Sequence, residues 1–154
     1  MSSIVAEQTV SEQYEYVIGV DTHAATHTFA LVAAATGGVL AHAKFPTSPT
    51  GLTRAQHWLT QRVGSRAALV VVEGTGSVGA ILTVGLQAAG RHVVEAARMP
   101  AGDRRGIGKS DDLDATRIAR AVLGSPLGAL GVPRELSSER AGSRCGCSLW
   151  PGSR

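Results

Sequence analysis

The stretch Tyr16-Val-Ile-Gly-Val-Asp21 decides the fold, because an apolar run closed by a carboxylate is typical of a buried strand that ends at a polar sheet edge. It predicts a first strand over residues 14–20, and the apolar residues 26–35 predict a second. Thr36-Gly-Gly38 supplies a hairpin turn into a third strand, residues 39–45, because glycine takes the positive φ that such turns require. The chain therefore opens with three antiparallel strands.

Helices and strands alternate after this meander. Residues 49–63 carry apolar side chains at helical spacing, whereas residues 67–72 are apolar on both faces, as in a central strand covered by helices. A helix over residues 77–89 and a short strand over residues 91–96 follow. This order predicts an α/β domain of the ribonuclease-H-like class, with a mixed sheet flanked by helices.

Acidic residues follow two of the predicted strands. Asp21 closes the first strand, and Glu73 closes the fourth. In a sheet where these strands are neighbours and parallel, both carboxylates emerge at the same edge. A later helix, predicted over residues 110–123, adds Asp111 and Asp114, which extend its buried stripe at the N-terminal end.

Four acids at one sheet edge indicate a metal site. Buried carboxylates are poorly solvated and repel one another unless a multivalent cation neutralises them. Hard oxygen ligands favour Mg²⁺ or Mn²⁺, and such ions usually act on phosphate esters. Phosphodiester chemistry is therefore the leading interpretation.

Composition is compatible with this interpretation. The chain has 154 residues, 44% of them hydrophobic, which suits one domain with a real core, and the formal net charge of +3 agrees weakly with a nucleic-acid partner. No apolar run is long enough for a membrane span, so we expect a cytoplasmic protein. Residues 1–13 and 125–154 are predicted to be disordered, around a folded domain over residues 14–124, and Cys145 and Cys147 read as free thiols.

Three segments carry a family resemblance. Tyr16-Val-Ile-Gly-Val-Asp-Thr-His23, Val71-Val-Glu-Gly-Thr-Gly76 and Gly108-Lys-Ser-Asp-Asp-Leu-Asp-Ala115, in this order and at these separations, resemble the N-terminal domain of the IS110 family of transposases. The resemblance covers roughly residues 16–124. It implies a RuvC-like nuclease fold.

The resemblance also implies a function and a set of site residues. The family's DEDD tetrad would correspond to Asp21, Glu73, Asp111 and Asp114, holding two divalent ions about 3.5–4 Å apart. The implied activity is DNA strand cleavage and exchange by a recombinase of a mobile element. A structured guide RNA and assembly into homo-oligomers are implied partners.

The chain departs from the family pattern after Leu123. Complete members carry a second, C-terminal domain with a serine that looks like the strand-attacking nucleophile, and nothing after Leu123 resembles it. We therefore expect a truncated copy that retains the metal-binding half and has little activity alone.

Several residues have competing interpretations. Asp21 could cap its own turn, and Ser110, Asp111 and Asp112 could simply cap a helix, with Asp112 predicted to face solvent. Lys109, Arg104 and Arg105 could contact nucleic-acid backbone or be solvated. All five histidines are expected at the surface, although His23 could lie near substrate: His23, His27, His42, His57 and His92.

Two rival functions remain. One is a folded but inert DNA- or RNA-binding remnant. The other is an ATPase of the actin and sugar-kinase type, which needs a glycine-rich turn between its first two strands, where this chain has Thr22-His-Ala-Ala25. Gly74-Thr-Gly-Ser-Val-Gly79 lacks the lysine of a phosphate-binding P-loop and is interpreted as close strand-to-helix packing.

Overall fold

The computed structural model describes residues 7–97 and 110–133. Within these ranges the chain forms five strands, four α-helices and one 3₁₀ turn. In chain order they are α1 (Val10–Gln13), β1 (Tyr16–Thr22), β2 (Thr26–Ala33), β3 (Val39–Pro46), α2 (Pro49–Val63), β4 (Ala68–Val72), α3 (Ala80–Ala88), β5 (His92–Glu95), α4 (Asp111–Arg120) and the 3₁₀ turn Leu127–Ala129.

The strands form one mixed sheet in the order β3-β2-β1-β4-β5. β1 is antiparallel to β2, and β2 to β3, whereas β1, β4 and β5 run parallel. The pairing of Gly19 with Val71 places the carboxyl ends of β1 and β4 side by side. The sheet therefore has the predicted ribonuclease-H-like arrangement.

Helices cover both faces of the sheet. On one face, α2 and α3 enclose a core that includes Phe29, Leu59 and Leu86, all fully buried. On the other face, α4 packs through Ile118 and Ala119 onto β1, β2 and β4. Alternation along each strand thus assigns successive side chains to the α2–α3 face or to the α4 face.

Close contact fixes α4 on the sheet. A Cβ atom at Gly19 would collide with the Ala115 carbonyl oxygen and would lie 2.6 Å from the Ala119 backbone nitrogen. Glycine therefore lets the helix backbone approach β1 directly. This contact carries the N-terminal turn of α4 toward Asp21, two residues beyond Gly19.

The structure differs from the predicted disorder at both ends of the domain. Residues 10–13 form α1, because Val10 is fully buried in the core on the α4 face. Thr9 bridges to Pro126, and Leu127–Ala129 forms the 3₁₀ turn. Long-range packing thus orders short segments that have no hydrophobic period of their own. Cys145 and Cys147 lie outside the described residues.

Helix α3 begins at Ala80, three residues later than predicted. Residues 73–79 form turns instead, and Gly74 among them has a φ of +70°. None of the helices in the described ranges is long and apolar enough to cross a membrane.

Candidate metal centre

A row of polar residues crosses the α4 face of the sheet near the carboxyl end of β1. Asp21 is paired with Thr28 of β2, and Thr28 is paired with Lys44 of β3. Glu73 directly follows β4, whose Val72 pairs with Val20. On the α4 face, the apolar core therefore gives way to polar side chains at this row.

Asp21 is the most buried acid of the row, at 5% exposure. Burial raises the pKa of its carboxyl above the usual range, and the negative charges of Glu73 and Asp114 add to the rise. His23 opposes these effects by a 3.0 Å contact between its Nε2 atom and Asp21 Oδ2. Asp21 thus lies in a place where its negative charge needs a cationic partner.

Asp111, the first residue of α4, lies near the same His23 side chain that contacts Asp21. His23 Nε2 lies 3.5 Å from Asp111 Oδ1. One ligand atom from each of Asp21, His23 and Asp111 lies within 4.8 Å of the other two. A single cation could contact all three groups.

Lys44 brings an ammonium group to the acids. Its Nζ atom lies 2.8 Å from Asp111 Oδ2, and this hydrogen bond holds the pKa of Asp111 below its ordinary value. The same bond raises the pKa of Lys44. His23 and Lys44 therefore both contact Asp111, and the ammonium group of Lys44 pairs with its carboxylate.

The other two predicted ligands lie outside the three-residue cluster. The Glu73 carboxylate is close enough to raise the pKa of Asp21, as is that of Asp114. Asp114 Oδ1 also lies 3.7 Å from Arg117 Nη1. Of the four predicted acids, the structure brings Asp21 and Asp111 together and leaves Glu73 and Asp114 at the margin.

The start of α4 also has the predicted capping geometry. The Ser110 hydroxyl accepts a 3.2 Å hydrogen bond from the Leu113 backbone N–H. Asp112 is exposed, as its position on the helix predicts. Because Asp111 contacts Lys44 and His23, it does more than complement the helix dipole.

The surface prediction for histidines is wrong for His27, which is 6% exposed. Strand alternation explains the burial, because His27 shares the α2–α3 face with Phe29. Burial lowers its pKa. His23, His42 and His57 are exposed as predicted, but His23 also contacts the acids. His92, also exposed, contacts Tyr14.

Sequence reasoning missed Lys44 and Glu95. Alternation from the apolar Phe45 would have placed Lys44 on the α4 face, and hairpin register would have placed it two strands from Asp21. Glu95 ends β5, the third parallel strand. The candidate nucleic-acid contacts Lys109, Arg104 and Arg105 lie outside the described residues.

Known proteins resemble the chain in sequence and in fold. The family profile for IS110-type DEDD transposases, described as transposase, matches residues 18–139. The chain is similar to T. thermophilus RuvC in complex with Holliday junction substrate, with 18% identity, a TM-score of 0.49, and coverage of 74% of this chain and 100% of that chain. Comparison with curated protein sequences gives no match.

A second similar structure is the large terminase nuclease from thermophilic phage G20c with bound zinc. It shows 18% identity and a TM-score of 0.44, over 82% of this chain and 70% of that chain. The family profile spans most of the 154 residues, including all four predicted acids. The chain therefore belongs to the IS110 family of DEDD transposases.

Proposed function

We propose that this domain is the metal-dependent nuclease centre of a DNA transposase, which cleaves and exchanges DNA strands of an IS110-like insertion sequence. The observation that carries the proposal is the cluster of Asp21, His23 and Asp111 at the sheet edge. Family membership supports DNA as the substrate.

The residues present fit a divalent cation. Asp21 is buried and has a raised pKa, so a cation beside it would relieve both the desolvation and the repulsion from Glu73 and Asp114. In the same row the Thr28 hydroxyl is fully buried, with no hydrogen-bond partner among the described residues. Carboxylate oxygens favour Mg²⁺ or Mn²⁺.

Each acid has a proposed role. Asp21 and Asp111 would hold the cation between β1 and α4, and Glu73 and Asp114 would complete the DEDD set. When bound, the metal supplies charge neutralisation at the scissile phosphate and activation of the attacking oxygen. The chain's own contribution is orientation, because β1, β4 and α4 fix the carboxylates on one packed framework.

The proposed partners extend beyond the metal. DNA backbone would be contacted by Lys109, Arg104 and Arg105, since cationic side chains neutralise phosphates without reading sequence. A guide RNA and a homo-oligomer are further proposals, which rest on the family resemblance alone.

Cleavage of nicked and branched DNA in the presence of Mg²⁺ or Mn²⁺ tests the proposal, with the chain in excess over DNA because little activity is expected of it alone. Asp21→Ala is expected to lower the rate by more than about 100-fold, because it removes a direct ligand and losses of supporting residues alone typically cost 10–100-fold. Asp112→Ala is the matched control, since this acid lies on the same helix but is exposed. Metal-dependent cleavage that survives in Asp21→Ala would overturn the assignment.

The non-catalytic remnant predicts a different outcome. It would bind the same DNA without cleaving it at any metal concentration, and Asp21→Ala would bind equally well. Binding by gel shift and cleavage by denaturing electrophoresis on the same samples separate the two functions.

A further inference from the structure

We propose that Glu95 is a positioning residue, whose carboxylate holds the turn after β4 so that Glu73 faces the metal centre. The inference rests on the proposed function, because it assigns a support to one of the four acids. Glu95 is the last residue of β5, the neighbour of β4 in the sheet, and its side chain contacts the turn that follows Glu73.

The carboxylate of Glu95 accepts three hydrogen bonds from two consecutive residues. The Gly74 backbone N–H donates to Oε1 over 3.2 Å, and the Thr75 backbone N–H donates to Oε2 over 3.1 Å. The Thr75 hydroxyl also donates to Oε2. Both carboxylate oxygens are therefore engaged by the residues that directly follow Glu73.

The peptide groups of Glu73 itself are fixed from the β1 side. Its N–H donates to the Val20 carbonyl over 3.2 Å, and its carbonyl accepts a 2.7 Å bond from the Thr22 hydroxyl. Backbone contacts to β1 thus hold residue 73, and Glu95 holds residues 74 and 75. The turn continues through Gly74, whose φ is +70° and whose carbonyl accepts bonds from the Ser77 and Gly79 backbone N–H groups. The N–H groups of residues 74 and 75 are held by Glu95.

Glu95 is itself anchored at both of its peptide bonds. Its N–H donates to Gly131 over 2.9 Å, and the Ala96 N–H donates to the Val72 carbonyl over 2.9 Å. The side chain is half-buried. The support is therefore a rigid strand end rather than a mobile surface carboxylate.

A carboxylate suits this task better than an amide. Its two oxygens accept from two backbone N–H groups at once, and charge-assisted bonds of this kind are about twice as strong as neutral ones. In Glu95→Gln the side-chain NH₂ group, itself a donor, would face one of the two backbone N–H groups. At least one hydrogen bond would be lost, and two donors would face each other. The turn after Glu73 would lose part of its support, and the Glu73 side chain would be held less precisely although its peptide groups stay bonded to β1.

Mn²⁺ titration of the 154-residue chain, by electron paramagnetic resonance or calorimetry, tests the inference. Glu95→Gln is expected to weaken Mn²⁺ binding about 10–100-fold, the usual effect of losing a residue that orients a ligand. Thr75→Val removes one of the three donors and should weaken Mn²⁺ binding less than Glu95→Gln does. Thr75→Ser keeps the hydroxyl and should bind Mn²⁺ like the parent chain. DNA cleavage should lose kcat with little change in KM, because the DNA-contacting surface is untouched.

Glu12→Gln is the matched control. Its carboxylate also accepts a backbone N–H, that of Thr9 over 2.9 Å, but at α1. It is expected to bind Mn²⁺ like the parent chain. Thermal unfolding of every variant is measured in parallel, and a structural effect alone would lower the melting temperature without changing Mn²⁺ affinity in the folded protein.

The outcomes separate this inference from the proposed function. If Asp21→Ala abolishes Mn²⁺ binding while Glu95→Gln binds normally, the positioning role is overturned and the metal centre stands. If Asp21→Ala binds Mn²⁺ like the parent chain, the metal centre itself is wrong. Weakened binding in Glu95→Gln, with rescue in Thr75→Ser relative to Thr75→Val, supports the inference.

Discussion

The two faces of the sheet differ in polarity near the carboxyl end of β1: the α2–α3 face carries an apolar core, whereas the α4 face carries charged side chains. On the α2–α3 face, the rings of Phe29, Phe45 and Trp58 pack edge to face at centroid separations of 5.5–6.1 Å. On the α4 face, strands β1, β2 and β3 carry the polar row of Asp21, Thr28 and Lys44. Because side chains alternate along a strand, one backbone supports a dry core and a charged site a few ångströms apart.

The largest expected effect lies on the apolar face. Phe29→Ala should lower the free energy of unfolding by about 3–5 kcal/mol, because it removes a fully buried ring and leaves a cavity. Chemical denaturation measures this loss. Mn²⁺ affinity below the unfolding transition should change little, and a large loss of affinity in the folded variant would show that the two faces are coupled.

The next effect lies on the α4 face, where a substitution is expected to raise the stability of the protein rather than lower it. Burial raises the pKa of Asp21 above its unfolded value, so the ionised carboxylate destabilises the metal-free protein at neutral pH. Asp21→Asn should therefore raise the melting temperature at pH 7. The gain should shrink as the pH falls through the raised pKa, because the parent carboxyl becomes neutral there.

Differential scanning calorimetry from pH 7 to pH 4 without metal checks this sign. Asp111 should behave in the opposite way, because its hydrogen bond with Lys44 lowers its pKa below the ordinary value, so its stabilisation persists across this range and is lost only at lower pH. A melting temperature for Asp21→Asn below that of the parent at pH 7 would contradict the prediction.

The smallest effect is expected at Lys44. Lys44→Met removes a cation that competes for the Asp111 carboxylate, so Mn²⁺ affinity should rise, by less than about fivefold because the pair is half exposed. Isothermal titration measures the change. Arg54→Met is the control, since Arg54 lies over Phe45 on the other face. Weaker binding in Lys44→Met would mean that the lysine supports the site rather than competing for it.

The sequence predicted the elements whose apolar period is regular. The bounds of α2 match the predicted residues 49–63, and the parallel pairing of β1 with β4 agrees with the arrangement that the order of the elements predicts. The short helix α1 was missed because its order depends on Val10 reaching a distant core. The start of α3 was misplaced because a turn at Gly74 precedes it.

The site was harder to predict than the fold. Asp21 and Asp111 follow from strand ends and helix stripes, which are local patterns. The opposite placement of His23 and His27 depends on where β1 ends and which face β2 presents. The bonds from Gly74 and Thr75 to Glu95 join elements about twenty residues apart, and no local period encodes them.

The close contact of Gly19 with the backbone of α4 has an architectural consequence. Because the helix rests directly on β1, the sheet surface sets the distance of α4 from the strand. A side chain at position 19 would push α4 away from the strand, and the carboxylate of Asp111 would move away from Asp21 with it. The absence of a side chain at one sheet position thus sets the spacing between acids that belong to two different elements.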